Sequence, residues 1–463
     1  MSTTKTHTAV PVVPGRLPLL GHALAFRKDP VRFLTDLRAH GGLVKMFMGP
    51  LPVVAVTSPE LVYQMLVTDS ASYDKGRLFD KLQRVVGNGV LTSNGTFHRE
   101  QRRLMQPAFQ RKMVARYAEV MRKRTEEMTA SWRPGQVVNV QRAVDDLALG
   151  IGVSTLFTST LSSHTLDVIK ECLPVMLNGV LARTVLPDFV FRLPAPIIRR
   201  MNLAEQRLRA SVDEIIRTYR ADGEDHGDLL TVLLTARDED TGRGMTDEQV
   251  RDELVTLMLA AAETTSSVLA SLFCRLAQNP AAEQKVLAEI DGVLAGRPIG
   301  FEDIPSFDYL GRVLNEVLRL DVPGDLFMRR AITDVTLGDT MLPAGTEFLY
   351  SIPSLHRNPE FYPDPDAFDP DRWLRRPARE LPRGSYIPFS IGNRGCLGQS
   401  FAWTELNVIA ATVLSRWRLS IEPGVTPVQR HHVTTHFTNL TMVVEQREDL
   451  PLRAREIPRS TIA

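Results

Sequence analysis

Of the chain's cysteines, Cys172, Cys274 and Cys396, only the last sits where a thiol could do chemistry. It lies in the run Phe389-Ser390-Ile391-Gly392-Asn393-Arg394-Gly395-Cys396-Leu397-Gly398. A thiolate that binds a metal must be anionic, screened from water and held by backbone donors. The glycines let the chain fold tightly round the sulfur and aim N–H groups at it. A helix starting near Leu397 would add its positive end. Phe389 can shield one flank, and Arg394 can reach a carboxylate of a bound group. Cys172 and Cys274 lack such a setting and read as small buried hydrophobes. Sparse cysteines without a CxxC pair exclude a disulfide framework and a structural zinc site, and they fit a reducing cytoplasm.

The elements that position this run follow from pattern. Hydrophobic residues make up 43% of the 463 residues and charged ones 24%, at a net charge of +1. That is globular composition with a core large enough to enclose a cofactor, and nothing in it points to nucleic acid. The start is polar and Thr-rich, without the apolar segment of a signal peptide. Pro11, Pro14 and Pro18 mark residues 1–20 as a flexible, extended strap. Leu43 to Thr57 reads as two strands about Gly49-Pro50, and helical patterns dominate from Pro59 to Leu294. A proline-punctuated apolar loop from Leu186 to Pro196, with Phe189 and Phe191, suits a lid over a hydrophobic ligand or a membrane-touching patch, with a buried connector as the plain alternative. Thr246 and Gln249 form a capping box, and Val250, Leu254, Leu257, Met258 and Ala261 recur at helical spacing. That helix is expected to run to Leu276. Its apolar stretch Leu254 to Ala262 is about half a bilayer span and is closed by Glu263, so no membrane span is expected. Beyond Leu320 short strands with Gly and Pro turns appear, then irregular structure from Pro359 to Pro388. A helix is expected from Leu397 to Trp417, and terminal strands from Val433 to Val444. The expected fold class is mainly α with a smaller β part.

The cysteine run, with its FxxGxRxCxG spacing, resembles the haem-binding signature of the cytochrome P450 family at every defined position. Other segments resemble that family's motifs in the same order. Glu316-Val317-Leu318-Arg319 matches ExxR, whose spacing puts both side chains on one helix face. Phe368-Asp369-Pro370-Asp371-Arg372-Trp373 resembles the meander, and Arg372 would join Glu316 and Arg319 in a structural cluster on the cysteine side. Ala260-Ala261-Ala262-Glu263-Thr264-Thr265 resembles the oxygen-activation motif, with Ala261 where the family has glycine. Heterolytic cleavage of dioxygen consumes two protons in an otherwise apolar pocket. Glu263 would relay them and Thr264 would hydrogen-bond the oxygen. A methyl at Ala261 would crowd the oxygen groove or shift the substrate. His98 and Arg102 match HxxxR, and together with Arg329 and Arg394 would hold the haem propionates. Arg330 is the alternative to Arg329, because the register is ambiguous by one residue.

The resemblance covers nearly the whole chain and implies a single haem domain, residues 1–463, with a long central helix over haem. It implies haem b (iron protoporphyrin IX) ligated by Cys396 beside Phe389 and Gly398, and a soluble, cytoplasmic monomer. Dioxygen would be consumed, with electrons from a ferredoxin and ferredoxin reductase docking near Arg99, Arg103, Arg111 and Lys112. Pocket walls would include Phe79, Leu82, Ala261, Val322, Leu326, Phe327 and Phe437, with Met328 and Asn439 near by. Such walls favour a hydrophobic substrate with few polar handles. The opening Pro14-Gly15-Arg16-Leu17-Pro18-Leu19-Leu20-Gly21-His22 and the stretch Gln101 to Phe109 resemble bacterial members acting on cyclic terpenes. A polyketide or other specialised-metabolite scaffold is the competing substrate class. A peroxide-driven or rearranging enzyme of the same fold is the competing mechanism, and a haem sensor the competing non-enzyme.

Overall fold

The structure, a computed structural model, describes residues 10–157, 162–185, 190–191, 195–431 and 434–447. Its main sheet has five strands, β1 (Leu43–Met48), β2 (Leu51–Val56), β3 (Tyr73–Asp74), β4 (Leu326–Ala331) and β5 (Glu347–Ser351), in the order β1-β2-β5-β4-β3. The β2–β5 pair is parallel and the others antiparallel. Alternation along β2 sends Val54 and Val56 into one apolar cluster and Val53 and Ala55 into another, so both faces of the sheet are covered. The strap is described from Val10, and from there it is tied down. Lys45 N–H donates to Pro11 O at 2.8 Å and Val13 N–H to Lys45 O at 3.0 Å. Gly21 is required where the strap meets β1: with φ +59, a Cβ there would lie 2.3 Å from Phe47 O.

Most of the rest is helical. Those that frame the site are α1 (Arg77–Val86), α2 (Gly95–Met105), α3 (Arg111–Ala130), α4 (Val140–Leu156), α5 (Asp247–Gln278), α6 (Asp308–Leu320) and α7 (Gln399–Leu414). The predicted capping box is present: Gln249 N–H donates to Thr246 Oγ1 at 3.3 Å and Thr246 N–H to Gln249 Oε1 at 2.8 Å. α5 ends two residues beyond the expected Leu276. It is long and apolar enough to cross a membrane, but 72% of its apolar window is buried inside the protein, as in a core helix. The cysteine helix is shorter than expected at both ends, Gln399–Leu414, because Gly398 caps it and Trp417 already starts a strand. That strand, Trp417–Ile421, pairs with Thr441–Gln446, which also pairs with Gln136–Asn139. A small hairpin, β6 (Gln429–His431) and β7 (Thr435–Phe437), lies just before that last strand, Thr441–Gln446. The largest apolar cluster joins the inner faces of α3, α4, α5, α6 and α7, so the helix before the cysteine loop and the one after it share a core with α5.

Candidate active site

The cysteine loop is held by backbone bonds. Cys396 N–H donates to Phe389 O at 2.8 Å, Gly395 N–H to Gly392 O at 2.9 Å and Ser390 N–H to Ile387 O at 2.9 Å. Glycine is required at 392: its φ is +70 and a Cβ would lie 2.2 Å from Leu66 O. A Cβ on Gly398 would stand 4.0 Å from Cys396 Sγ, so this helix cap lies directly beside the sulfur. The thiol presents surface even though protein surrounds it, as expected of a group facing an internal space. Burial pushes its pKa up and prevails, while the Gly398 N–H and the Arg102 charge act in the opposite sense, towards thiolate.

Basic side chains converge next to this loop. His98 and Arg329 are buried, Arg102 and Arg394 half-buried. Arg102 Nη1 donates to Gly395 O at 2.7 Å, tying α2 to the cysteine loop. Arg394 reaches Ser93 O at 2.7 Å and Asn94 Oδ1 at 3.2 Å. Arg329 donates to Met328 O at 2.7 Å and lies over the Tyr350 ring. The one-residue ambiguity is resolved by pairing. Arg330 points away to Asp74, Asp80 and Glu347, at 2.6, 2.8 and 3.8 Å, which leaves Arg329 in the cluster. A fifth member, Lys75, escaped sequence reasoning. It is buried, donates to Leu91 O and stands 5.1 Å over the Phe79 ring. The only signal was a lysine followed by glycine at the end of a short strand. Desolvation, then the neighbouring arginines, hold Lys75 well below the usual lysine range. Desolvation, then Arg394, Lys75 and Arg102, take His98 down to about 3. Buried cations that repel one another and bond mainly to carbonyls suit a dianionic ligand. Beside an inward-facing thiol, the residues present fit haem.

The expected structural cluster closes behind the loop. Arg319 Nη2 and Arg372 Nε bond Glu316 Oε1 at 2.8 and 2.9 Å, and Trp373 Nε1 donates to Glu316 Oε2 at 3.1 Å. Glu316 and Arg319 show no exposed surface. Arg319 also donates to the carbonyls of His356 and Ala367 at 3.1 and 3.0 Å. His356 in turn accepts from Ile387 N–H at 2.9 Å, so the cluster is connected to the start of the cysteine loop.

On α5, Ala260 is exposed in a stretch that is otherwise mostly buried, the mark of a helix bordering an internal space. Thr264 Oγ1 donates to Ala260 O at 2.8 Å and so sits on that border. Glu263 turns instead to the terminal hairpin, where Thr434 Oγ1 donates to its Oε2 at 3.2 Å. The Ala261 methyl lies against α4: a Cβ built on Gly152 would meet it at 3.2 Å. The missing glycine is matched by one across the helix contact.

The expected pocket walls separate. Phe79 and Leu82 lie on α1, next to Lys75 and the second large core respectively. Phe327 stacks on Tyr350 at 5.6 Å, on the Arg329 face of β4. Leu326 and Met328 take the opposite face, with the N-terminal core, because strand side chains alternate. Val322 is only 1% exposed, packed in the core under the sheet, and lines no space. Phe437 is half-buried against the largest core. Asn439 is spent on the turn, bonding Val428 N–H at 2.7 Å and Thr426 O at 2.8 Å. Seven of the eleven residues from Leu186 to Pro196, where the loop was expected, lie outside the described residues.

The model of the family described as cytochrome P450 matches residues 11–442. Cyclooctat-9-en-7-ol 5-monooxygenase of Streptomyces melanosporofaciens is 42% identical over 94% of this chain and 95% of its own. Pentalenene oxygenase of Streptomyces avermitilis is 36% identical, over 90% of this chain and 93% of its own. The crystal structure of cytochrome P450DA heme domain superposes with a TM-score of 0.85 at 25% identity, covering 96% of this chain and 98% of that one.

Proposed function

The chain belongs to the cytochrome P450 family and is a monooxygenase of that family, and from this premise we propose that it oxidises a cyclic terpenoid in bacterial specialised metabolism, in the cytoplasm, with electrons from a ferredoxin and its reductase. The observation that carries the substrate class is the likeness, over nine-tenths of the chain or more, to oxygenases whose names specify cyclooctat-9-en-7-ol and pentalenene. Apolar walls at Phe79, Leu82, Phe327 and Phe437 suit a hydrocarbon frame and exclude water from it.

Haem b, held through Cys396 with its propionates on His98, Arg102, Arg329, Arg394 and Lys75, would supply oxygen activation and insertion of one oxygen atom into a C–H bond. The chain's own residues do the rest. The Gly398 N–H and Arg102 favour the thiolate form of Cys396. Glu316, Arg319 and Arg372 fix the backbone that presents it. Thr264 Oγ1 holds a proton at the border of the internal space, and Glu263 brings protons to that border. Arg99 and Lys112 are exposed and have no ion pair among the described residues; Arg103 pairs with Asp238 and Asp240, and Arg111 with Glu302. A groove of about 800 Å³ lined by Arg111, Phe389, Gln399 and Trp403 opens beside the cysteine loop, where a small acidic electron carrier would dock.

The test is the carbon monoxide difference spectrum of the reduced protein, followed by titration with terpenoids and macrolide polyketides. The thiolate-type band should appear in the wild type and be lost in Cys396→His. A spin shift with cyclooctat-9-en-7-ol or pentalenene supports the proposal; a response to polyketides alone overturns the substrate class.

A further inference from the structure

A polar corner where β7 meets α5 carries groups that the mechanism above leaves unused. Ser267 Oγ donates to Thr435 O at 2.5 Å, and Phe437 N–H donates to Gln141 Oε1 of α4 at 3.0 Å. These bonds pin the hairpin to two helices and set Thr434 and His436 beside Glu263. Thr434 Oγ1 lies 2.7 Å from His436 Nε2 and 3.2 Å from Glu263 Oε2, and Nε2 is 4.0 Å from the same carboxylate oxygen. α4 brings Asp145 to this corner, with its carboxylate bonded to Gln141 Nε2 at 2.9 Å and to Ser266 of α5. The charges acting on His436 among the described residues are thus Glu263 from α5 and Asp145 from α4. Arg430, opposite His436 in the β6–β7 register, is exposed.

We propose that His436 is the proton donor to Glu263, acting through the Thr434 hydroxyl, so that the terminal hairpin forms the outer part of the proton path. The proposal rests on the reading of Glu263 as a relay. The step conserves protons. The imidazolium gives its Nε2 proton to Thr434 Oγ1 while Thr434 passes its own hydroxyl proton to Glu263 Oε2. Imidazolium becomes imidazole and carboxylate becomes carboxylic acid. The His436 side chain is 21% exposed, enough to be recharged by water. The Glu263 carboxylate, 4.0 Å away, together with the Asp145 charge outweighs desolvation and holds the imidazole above its usual 6.5. It is therefore charged, and able to donate, closer to neutrality than a free histidine. His436 is a positioning and supply residue, since it acts through Glu263.

Two measurements on the holoprotein test this. The first is histidine NMR of the reduced, carbon monoxide-bound form. The imidazole signal missing from His436→Gln should titrate above 6.5 in the wild type and fall towards that value in Glu263→Gln. The second is coupling, the product formed per electron pair, across pH. Wild-type coupling should decline as pH rises through the His436 titration, because the donor empties. His436→Gln keeps a polar group near Thr434 but cannot titrate. It should lose that pH-dependent limb, lower coupling by about threefold or more and enlarge the solvent isotope effect, with the substrate spin shift unchanged. His436→Phe should do the same more severely. If Glu263→Gln stays fully coupled, the relay reading falls, and this inference with it. If Glu263→Gln uncouples while both His436 variants keep the wild-type pH profile, only the inference about His436 is overturned.

Discussion

Thr264 donates its hydroxyl to the carbonyl of Ala260, the residue that opens α5 to the internal space. A side chain with so specific a position is best probed by removing its oxygen alone. Thr264→Ala should keep oxygen uptake while product per electron falls by about tenfold or more, and Thr264→Ser should restore it; unchanged coupling would remove Thr264 from proton handling. At Glu316 the issue is charge rather than catalysis. Its carboxylate is shared by two buried arginines, an indole N–H and the Asp369 N–H. Glu316→Ala strands those arginines without a partner and should cost about 3–5 kcal/mol in denaturant unfolding. Loss of the thiolate-type carbon monoxide band should accompany it. A surface pair such as Arg142–Asp146, 3.9 Å apart and mostly exposed, should give almost nothing in the same assay.

Gly152 of α4 faces Ala261 of α5, and this contact yields a double-mutant test. Gly152→Ala brings two methyls to 3.2 Å and should destabilise the protein by about 1–3 kcal/mol through overpacking. Adding Ala261→Gly should recover much of that loss, and strictly additive effects would deny the contact. The same pair shows what the sequence could reveal. Glu316, Arg319 and Arg372 were legible because local spacing and a charge requirement pointed one way, and the α5 capping box because both partners lie within four residues. Ala261 could not be placed, since its meaning depends on Gly152, more than a hundred residues earlier. Val322 and Leu326 were misplaced for a related reason. Apolar character marks burial, but which side of a strand faces a ligand depends on the sheet, and β4 puts Phe327 and Leu326 on opposite faces. Thr434 and His436 carried no local signal at all, because only tertiary pairing brings them to Glu263.

Across the whole molecule several ionisable groups are buried in the uncharged state, which makes stability depend on pH in a calculable direction. Glu405 is 1% exposed and desolvation raises its pKa to about 8, against an ordinary 4.5. The folded state therefore binds more protons than the unfolded state between these values, and the stabilisation is lost as pH rises through them. Glu405→Gln, which keeps the neutral shape, should gain stability over the wild type as pH is raised from 4.5 to 8, measured by denaturant titration; a constant difference would mean the carboxyl is ionised when folded. His356 has the opposite sign. Burial takes it to about 3, so the unfolded state binds more protons and stability falls as pH drops below 6.5. His356→Asn should flatten that limb. The converging cations carry a consequence for the living cell. Lys75, Arg102, Arg329 and Arg394 oppose one another around a neutral His98 in the empty polypeptide and are reconciled by a dianion, so cofactor capture and folding draw on the same free energy. Abundance should then follow prosthetic-group supply. Newly made chains that outrun tetrapyrrole synthesis will be cleared by proteases rather than stored, and feeding a tetrapyrrole precursor will raise the yield of protein itself, not merely the fraction that is coloured.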